Sequence, residues 1–124
     1  MDEPLACQRI VFRALIRSGL IVPGGQILSG AFIRRPVDHD GLSVDIASAA
    51  SCTAPFRKCY GVASLHVGRV RRIGLDIVVD MAPHANITGV PRPEDDAANA
   101  ERLAGLLAKQ SRLVPPEAGR PSAS

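Results

Sequence analysis

Apolar and polar positions alternate in short, sharply bounded stretches along most of this chain. Residues 10–16 (Ile-Val-Phe-Arg-Ala-Leu-Ile) are rich in β-branched and aromatic side chains and are interrupted by a single charge, Arg13. That composition predicts a strand. Residues 41–47 alternate cleanly: Leu42, Val44 and Ile46 fall on one face, Ser43 and Asp45 on the other. A period of two marks a half-buried strand. Three more runs, 62–67, 75–79 and 84–88, are bounded by Gly61, Gly68, Gly74, Pro83 and Gly89. Short strands punctuated in this way predict a glycine-marked meander in a mostly antiparallel sheet.

The pattern changes to a helical period after Pro91 and Pro93. Ala100, Leu103, Ala104, Leu106 and Leu107 form one stripe, with Glu94, Asp95 and Asp96 in the expected first turn and Lys109 and Arg112 in the last. Those charges complement a helix dipole. Gly105 costs such a helix about 1 kcal/mol relative to Ala, a cost that close approach to the sheet would explain. Thr53 and Pro55 predict the start of a short helix carrying Phe56, Cys59 and Tyr60 on one side. The link 69–73 reads as a turn or as a helical turn with Val70 and Ile73 inward. Residues 17–26 read as loop, and 26–40 fit no single period. The expected fold class is α+β: a small, mostly antiparallel sheet, one or two short helical segments, and a C-terminal amphipathic helix packed on the sheet. The expected organisation is an entry segment 1–8, a single globular domain 9–114 and a disordered tail 115–124, with no internal repeat.

A length of 124 residues suits one domain, able to bury roughly two-thirds of its extended surface. Aromatic residues are 3% of the chain and Trp is absent, so the core is expected to be aliphatic. The shortage of rings argues against a stacking platform for single-stranded nucleic acid. A net charge of +3 and a pI near 9.1 form a mild basic excess, below that of a dedicated nucleic-acid binder. Three cysteines, Cys7, Cys52 and Cys59, leave at least one unpaired and favour a reducing compartment. With no bilayer-length apolar run and no signal-peptide pattern, the expectation is a cytoplasmic protein with no membrane association.

Candidate chemistry is sparse. Arg13 inside an apolar strand has two readings of equal weight, an outer-face charge or an anion contact. Ser43 and Asp45 share a strand face and can hold a polar ligand if that face lines a cleft; taken alone, a solvated face explains them as well. His66 and His84 lie on or beside neighbouring strands. Either is a general acid–base candidate or a hydrogen-bonded structural residue, and His84 can instead order a turn. No metal site is expected: the Cys52–Cys59 spacing matches no zinc knuckle, Cys7 is remote, and Asp38-His39-Asp40 reads as a solvated turn. The run Arg69-Val70-Arg71-Arg72 can meet phosphate, though a solvated turn serves equally. No phosphate-cradling loop or nucleophile elbow is present.

Several strings carry a resemblance. Val11-Phe12-Arg13, Gly41-Leu42-Ser43-Val44, the run 59–70 from Cys59-Tyr60-Gly61 through His66-Val67-Gly68, and His84-Ala85-Asn86-Ile87-Thr88-Gly89 together resemble a family of short, uncharacterised bacterial proteins, as does the helix around Ala100–Ala108. An aromatic-Arg pair on a first strand followed by a Gly-x-Ser strand is also similar to the opening of ADP-ribosyltransferase-like domains, including RES-type toxins that consume NAD. That resemblance implies an NAD or nucleotide ligand, with Arg13 on a phosphate or ribose and Ser43 on the nicotinamide-ribose side. It also implies a setting in a toxin or defence system. The chain departs from that pattern in lacking a glutamate on a core strand. The leading expectation is therefore a nucleotide- or NAD-binding domain with His66 as catalytic acid–base group and Arg13, Ser43, Asp45 and His84 binding the ligand. The alternative is a non-catalytic protein-interaction module. Nucleic acid is the minority partner.

Overall fold

The computed structural model describes residues 5–35, 38 and 41–115. β-Branched and aliphatic residues build six strands: β1 (Ile10–Leu15), β2 (Leu42–Asp45), β3 (Gly61–His66), β4 (Asp76–Met81), β5 (His84–Thr88) and β6 (Arg112–Leu113). Every pairing is antiparallel and the order across the sheet is β4-β5-β2-β1-β3-β6. The α+β class expected from the pattern is the one observed.

Alternation decides which side chains face the helical layer. Val11 and Leu15 of β1, Leu42 and Val44 of β2, Ala63 and Leu65 of β3, and Ala85 and Ile87 of β5 are buried. They point to the face covered by α3 (Ala97–Gln110) and by a 3-10 helix at Ser29–Phe32. Leu103, Ala104 and Leu107 of α3 and Phe32 of the 3-10 helix complete this core. Each fully buried Leu, Ile or Phe side chain contributes about 2 kcal/mol through removal of its surface from water. Gly41, at a φ of 135°, brings β2 onto β5 so closely that a Cβ there would collide with the Ile87 carbonyl. The opposite face of β1, β2 and β3 is covered in part by α1 (Ala49–Thr53).

Several local expectations need correction. The short helix ends, rather than begins, at Thr53. Ser48 caps it by accepting from Ser51 N at 3.0 Å, and Asp45 binds the Ala47 and Ser48 amides just before it. Pro55, with no N–H to donate, follows its end. The three later strands are not a simple meander, because α2 (Val67–Arg72) carries the chain from β3 to the far edge at β4. Val70 is fully buried, so the helical-turn alternative for 69–73 is the one observed. In α3 the acidic residues precede the helix: Asp96 is the cap, accepting from Asn99 N at 3.1 Å, while Glu94 and Asp95 lie in the preceding turn. Arg112 belongs to β6, and a Cβ at Gly105 would meet open space, so close approach to the sheet does not account for that glycine. The segment expected as a tail lies, after Pro115, outside the described residues, as do residues 1–4 of the entry segment.

Candidate functional site

β1 pairs with β3 along its whole length, from Ile10 opposite His66 to Leu15 opposite Gly61. Against β2 it pairs at one position, Phe12 opposite Asp45. Beyond that point the two central strands part, and a seam opens in the sheet. A cavity of about 340 Å³ occupies it, a volume within the range of small-molecule sites. Its lining comes from both sides of the sheet: Arg13, Arg17, Ala31 and Arg35 from one, and Ser43, Asp45, Cys52, Phe56 and His84 from the other.

Arg13 bridges the opening. Its Nε donates to the Ala31 carbonyl at 2.7 Å and its Nη1 to the Ser43 carbonyl at 2.8 Å. In a continuous sheet the Ser43 carbonyl would be free for a ladder bond; here a guanidinium bonds it instead. The carbon at the centre of the guanidinium stands 5.8 Å from the Phe32 ring centroid, close enough for a cation–π contact. Burial pushes the Arg13 guanidinium down to about 10; Asp38 opposes that shift, while Arg35 and Arg17 reinforce it. The group remains a cation at neutral pH, with three N–H donors unpartnered among the described residues. Arg13 is thus a structural bridge between the 3-10 helix and β2 whose side chain also lines the cavity.

Two further cations flank it. Arg17 Nη2 donates to the Gly30 carbonyl at 2.7 Å, so Arg13 and Arg17 together fasten the 3-10 helix to β1 and the bend that follows it. Arg35 pairs with Asp38 at 3.5 Å, and its backbone amide donates to the same carboxylate oxygen at 2.8 Å.

The carboxylates are largely committed. Asp45 is buried and accepts from Ala47 N at 2.7 Å, Ser48 N at 3.1 Å and Ser51 Oγ at 2.6 Å. It therefore lines the cavity but acts as the turn anchor of α1. Asp38 is held by Arg35 as above. Cys52 points its thiol at the Phe12 carbonyl, and burial, followed by the nearby Asp45 charge, pushes that thiol up to about 12. It is a neutral wall of the cavity and a poor nucleophile.

His84 and Ser43 stand on the same sheet face, with Asp45 opposite His84 and Ser43 opposite Asn86. Ser43 is exposed and its hydroxyl has no partner among the described residues. His84 Nδ1 lies 2.6 Å from Asp80 Oδ1. The other Asp80 oxygen accepts from Asn86 Nδ2 at 3.0 Å, and the Met81 amide also donates to this carboxylate. The bond to His84, chiefly, holds the Asp80 carboxyl below its ordinary value. An ionised Asp80 only accepts, so Nδ1 donates in this pair, and Nε2 is the ring nitrogen left without a partner among the described residues.

Of the residues singled out in the sequence, Arg13, Ser43, Asp45 and His84 come together at this cavity. His66 does not line it. Its ring sits at the start of α2, beside Gly68 and Cys7, with Nδ1 buried and without a partner. The expectation of His66 as the acid–base group beside a ligand on Arg13 and Ser43 is corrected accordingly: strand register places His66 opposite Ile10, at the other end of β1 and on the face away from Arg13. Arg17, Arg35 and Asp80 were not anticipated. Arg35 sits in a stretch without a readable period, while Asp80, four residues before His84, was the most accessible signal. His39 and Asp40 lie outside the described residues, and among the described residues no three His, Cys, Asp or Glu side chains cluster as a metal site. All three cysteines are free thiols, and no described helix is long and apolar enough to cross a membrane. No family model, curated protein or solved structure matches the chain.

Proposed function

We propose that the chain binds a small phosphate-bearing ligand of the nucleotide class, NAD-like molecules included, in the seam between β1 and β2. The observation that carries this reading is the excess of cationic donors in a partly apolar cavity. Three arginines, Arg13, Arg17 and Arg35, stand in a lining that holds two carboxylates, Asp38 and Asp45, and Arg13 keeps N–H donors beyond its two carbonyl bonds. A desolvated guanidinium with unused donors favours an anion, because the ligand charge offsets the loss of water. The apolar walls from Ile16, Leu20, Val44 and Phe56 suit a base or another flat apolar group. A toxin or defence role, as the ADP-ribosyltransferase-like resemblance implies, is consistent with such a ligand and draws no separate support from the cavity.

Titration calorimetry with AMP, ADP-ribose and NAD tests the reading. At least one should bind, more weakly as salt rises, and Arg17→Ala and Arg35→Ala should each weaken it about tenfold, the loss of one charge-assisted hydrogen bond. Absence of binding by all three at millimolar concentration refutes it. A second reading, the non-catalytic interaction module, draws on the edge strand β4, where Val78 is half exposed and Met81 is 80% exposed. Stoichiometric co-purification of a partner that is lost in Met81→Asp would favour it.

A further inference from the structure

Among the described residues of the seam, one side chain suited to proton transfer is not already spent on a structural role. Asp45 is saturated by three donors, Asp38 is held by Arg35, and the Cys52 thiol stays protonated. His84 alone combines a place in the cavity lining, a side chain 44% exposed and an anchored ring. Asp80 fixes that ring through Nδ1, and Asp80 is itself fixed by the Met81 amide and the Asn86 side chain. Asn86 and His84 are alternate residues of β5 paired with Ser43 and Asp45 of β2, so the whole assembly rests on the sheet rather than on a loop. A carboxylate–imidazole pair built in this way is what general-base chemistry requires: one ring nitrogen oriented by the carboxylate, the other without a partner on a part-exposed side chain.

Resting on the ligand reading above, we infer that the Asp80–His84 pair is the proton-transfer unit of a phosphodiester hydrolase, with His84 as catalytic base and Asp80 as its positioning residue. Arginine side chains of the seam hold the non-bridging phosphate oxygens. His84 Nε2 takes a proton from water, and the water oxygen forms the new bond to phosphorus. The P–O bond to one ester oxygen breaks, and the departing oxyanion takes its proton from solvent. The imidazolium returns the abstracted proton to water, leaving a phosphate monoester, an alcohol and the unchanged enzyme. Water is the sole co-reactant.

Bis(p-nitrophenyl) phosphate serves as probe, with nitrophenolate release as readout and AMP binding measured in parallel on the full chain. Wild type should turn over, and His84→Gln should fall 10²–10⁴-fold, the usual contribution of a general base. His66→Gln should match wild type. Asp80→Asn should lower turnover and raise the fraction of the Nε2–H tautomer in the imidazole ¹⁵N spectrum with the circular dichroism unchanged; a tautomer change at wild-type turnover would make the bond structural only and overturn the positioning role. If His84→Gln does not fold, the Asp80→Asn rate and spectrum decide the matter. AMP binding without wild-type turnover, or turnover within threefold of wild type in His84→Gln, overturns the catalytic inference and leaves the ligand reading standing. Absence of both binding and turnover ends both.

Discussion

Replacing Arg13 by Met separates its bridging role from its charge, because Met fills the stem's volume and carries no donor. Two opposing effects set the outcome. The guanidinium is pushed from 12.5 down to about 10, so the charged form is held at a disadvantage of roughly 3 kcal/mol, less whatever the open seam screens. Met removes that disadvantage. It also strips the Ala31 and Ser43 carbonyls of their partners, at about 1–3 kcal/mol for each one left unsatisfied, and forfeits a ring contact worth about 0.5–1 kcal/mol. The balance is a net loss of about 2 kcal/mol for Arg13→Met. Arg13→Ala should lose more, because a gap is added to the same two orphaned carbonyls. Arg13→Lys should fall between wild type and Met, since an ammonium keeps the charge but cannot fork across both carbonyls. Urea unfolding followed by far-ultraviolet circular dichroism suits a chain without Trp, and an unchanged slope against urea confirms that the comparison is of stability. An Arg13→Met protein as stable as wild type, or more stable, would refute the argument that the guanidinium closes the gap between β1 and β2.

Gly105→Ala should stabilise the protein by about 1 kcal/mol, because the helix gains propensity and the added methyl meets nothing; a loss of thermal stability would contradict the open space seen there. Titration with a disulfide reagent should modify the exposed Cys7 first and leave Cys52 unmodified until the chain unfolds, since the buried Cys52 thiol is pushed up to about 12; rapid modification of Cys52 in the folded protein would count against this. The Asp80 carboxyl is held below its ordinary 3.8 by His84, so its contribution to stability is complete above that value and fades as pH falls toward the lowered one. Acid unfolding of Asp80→Asn should therefore begin from a lower stability at pH 6 and slope less steeply below pH 4 than wild type; parallel curves would remove the claim.

Much of the architecture was legible in local pattern. Alternation at Leu42, Val44 and Ile46, the β-branched run around Arg13 and the helical stripe through Leu103 and Leu107 each report burial one residue at a time, and burial is what a hydrophobic period encodes. The same counting put Ser43 and Asp45 on one side of β2 and drew notice to a charge inside β1. What it could not supply was the neighbour of each strand. Strand order depends on long-range pairing, and α2 carries β4 away from β3 to the opposite edge. The parting of β1 from β2 after Phe12 leaves no trace in either strand taken separately. That parting nevertheless decides that Arg13 faces a cavity with Arg17, Arg35 and His84, that Asp45 is spent on anchoring α1, and that His66 lies elsewhere. Side-chain type and facing were written into the chain because they follow from local periodicity. The site came from the tertiary structure, because a cleft belongs to the space between segments and is set by which of them fail to meet.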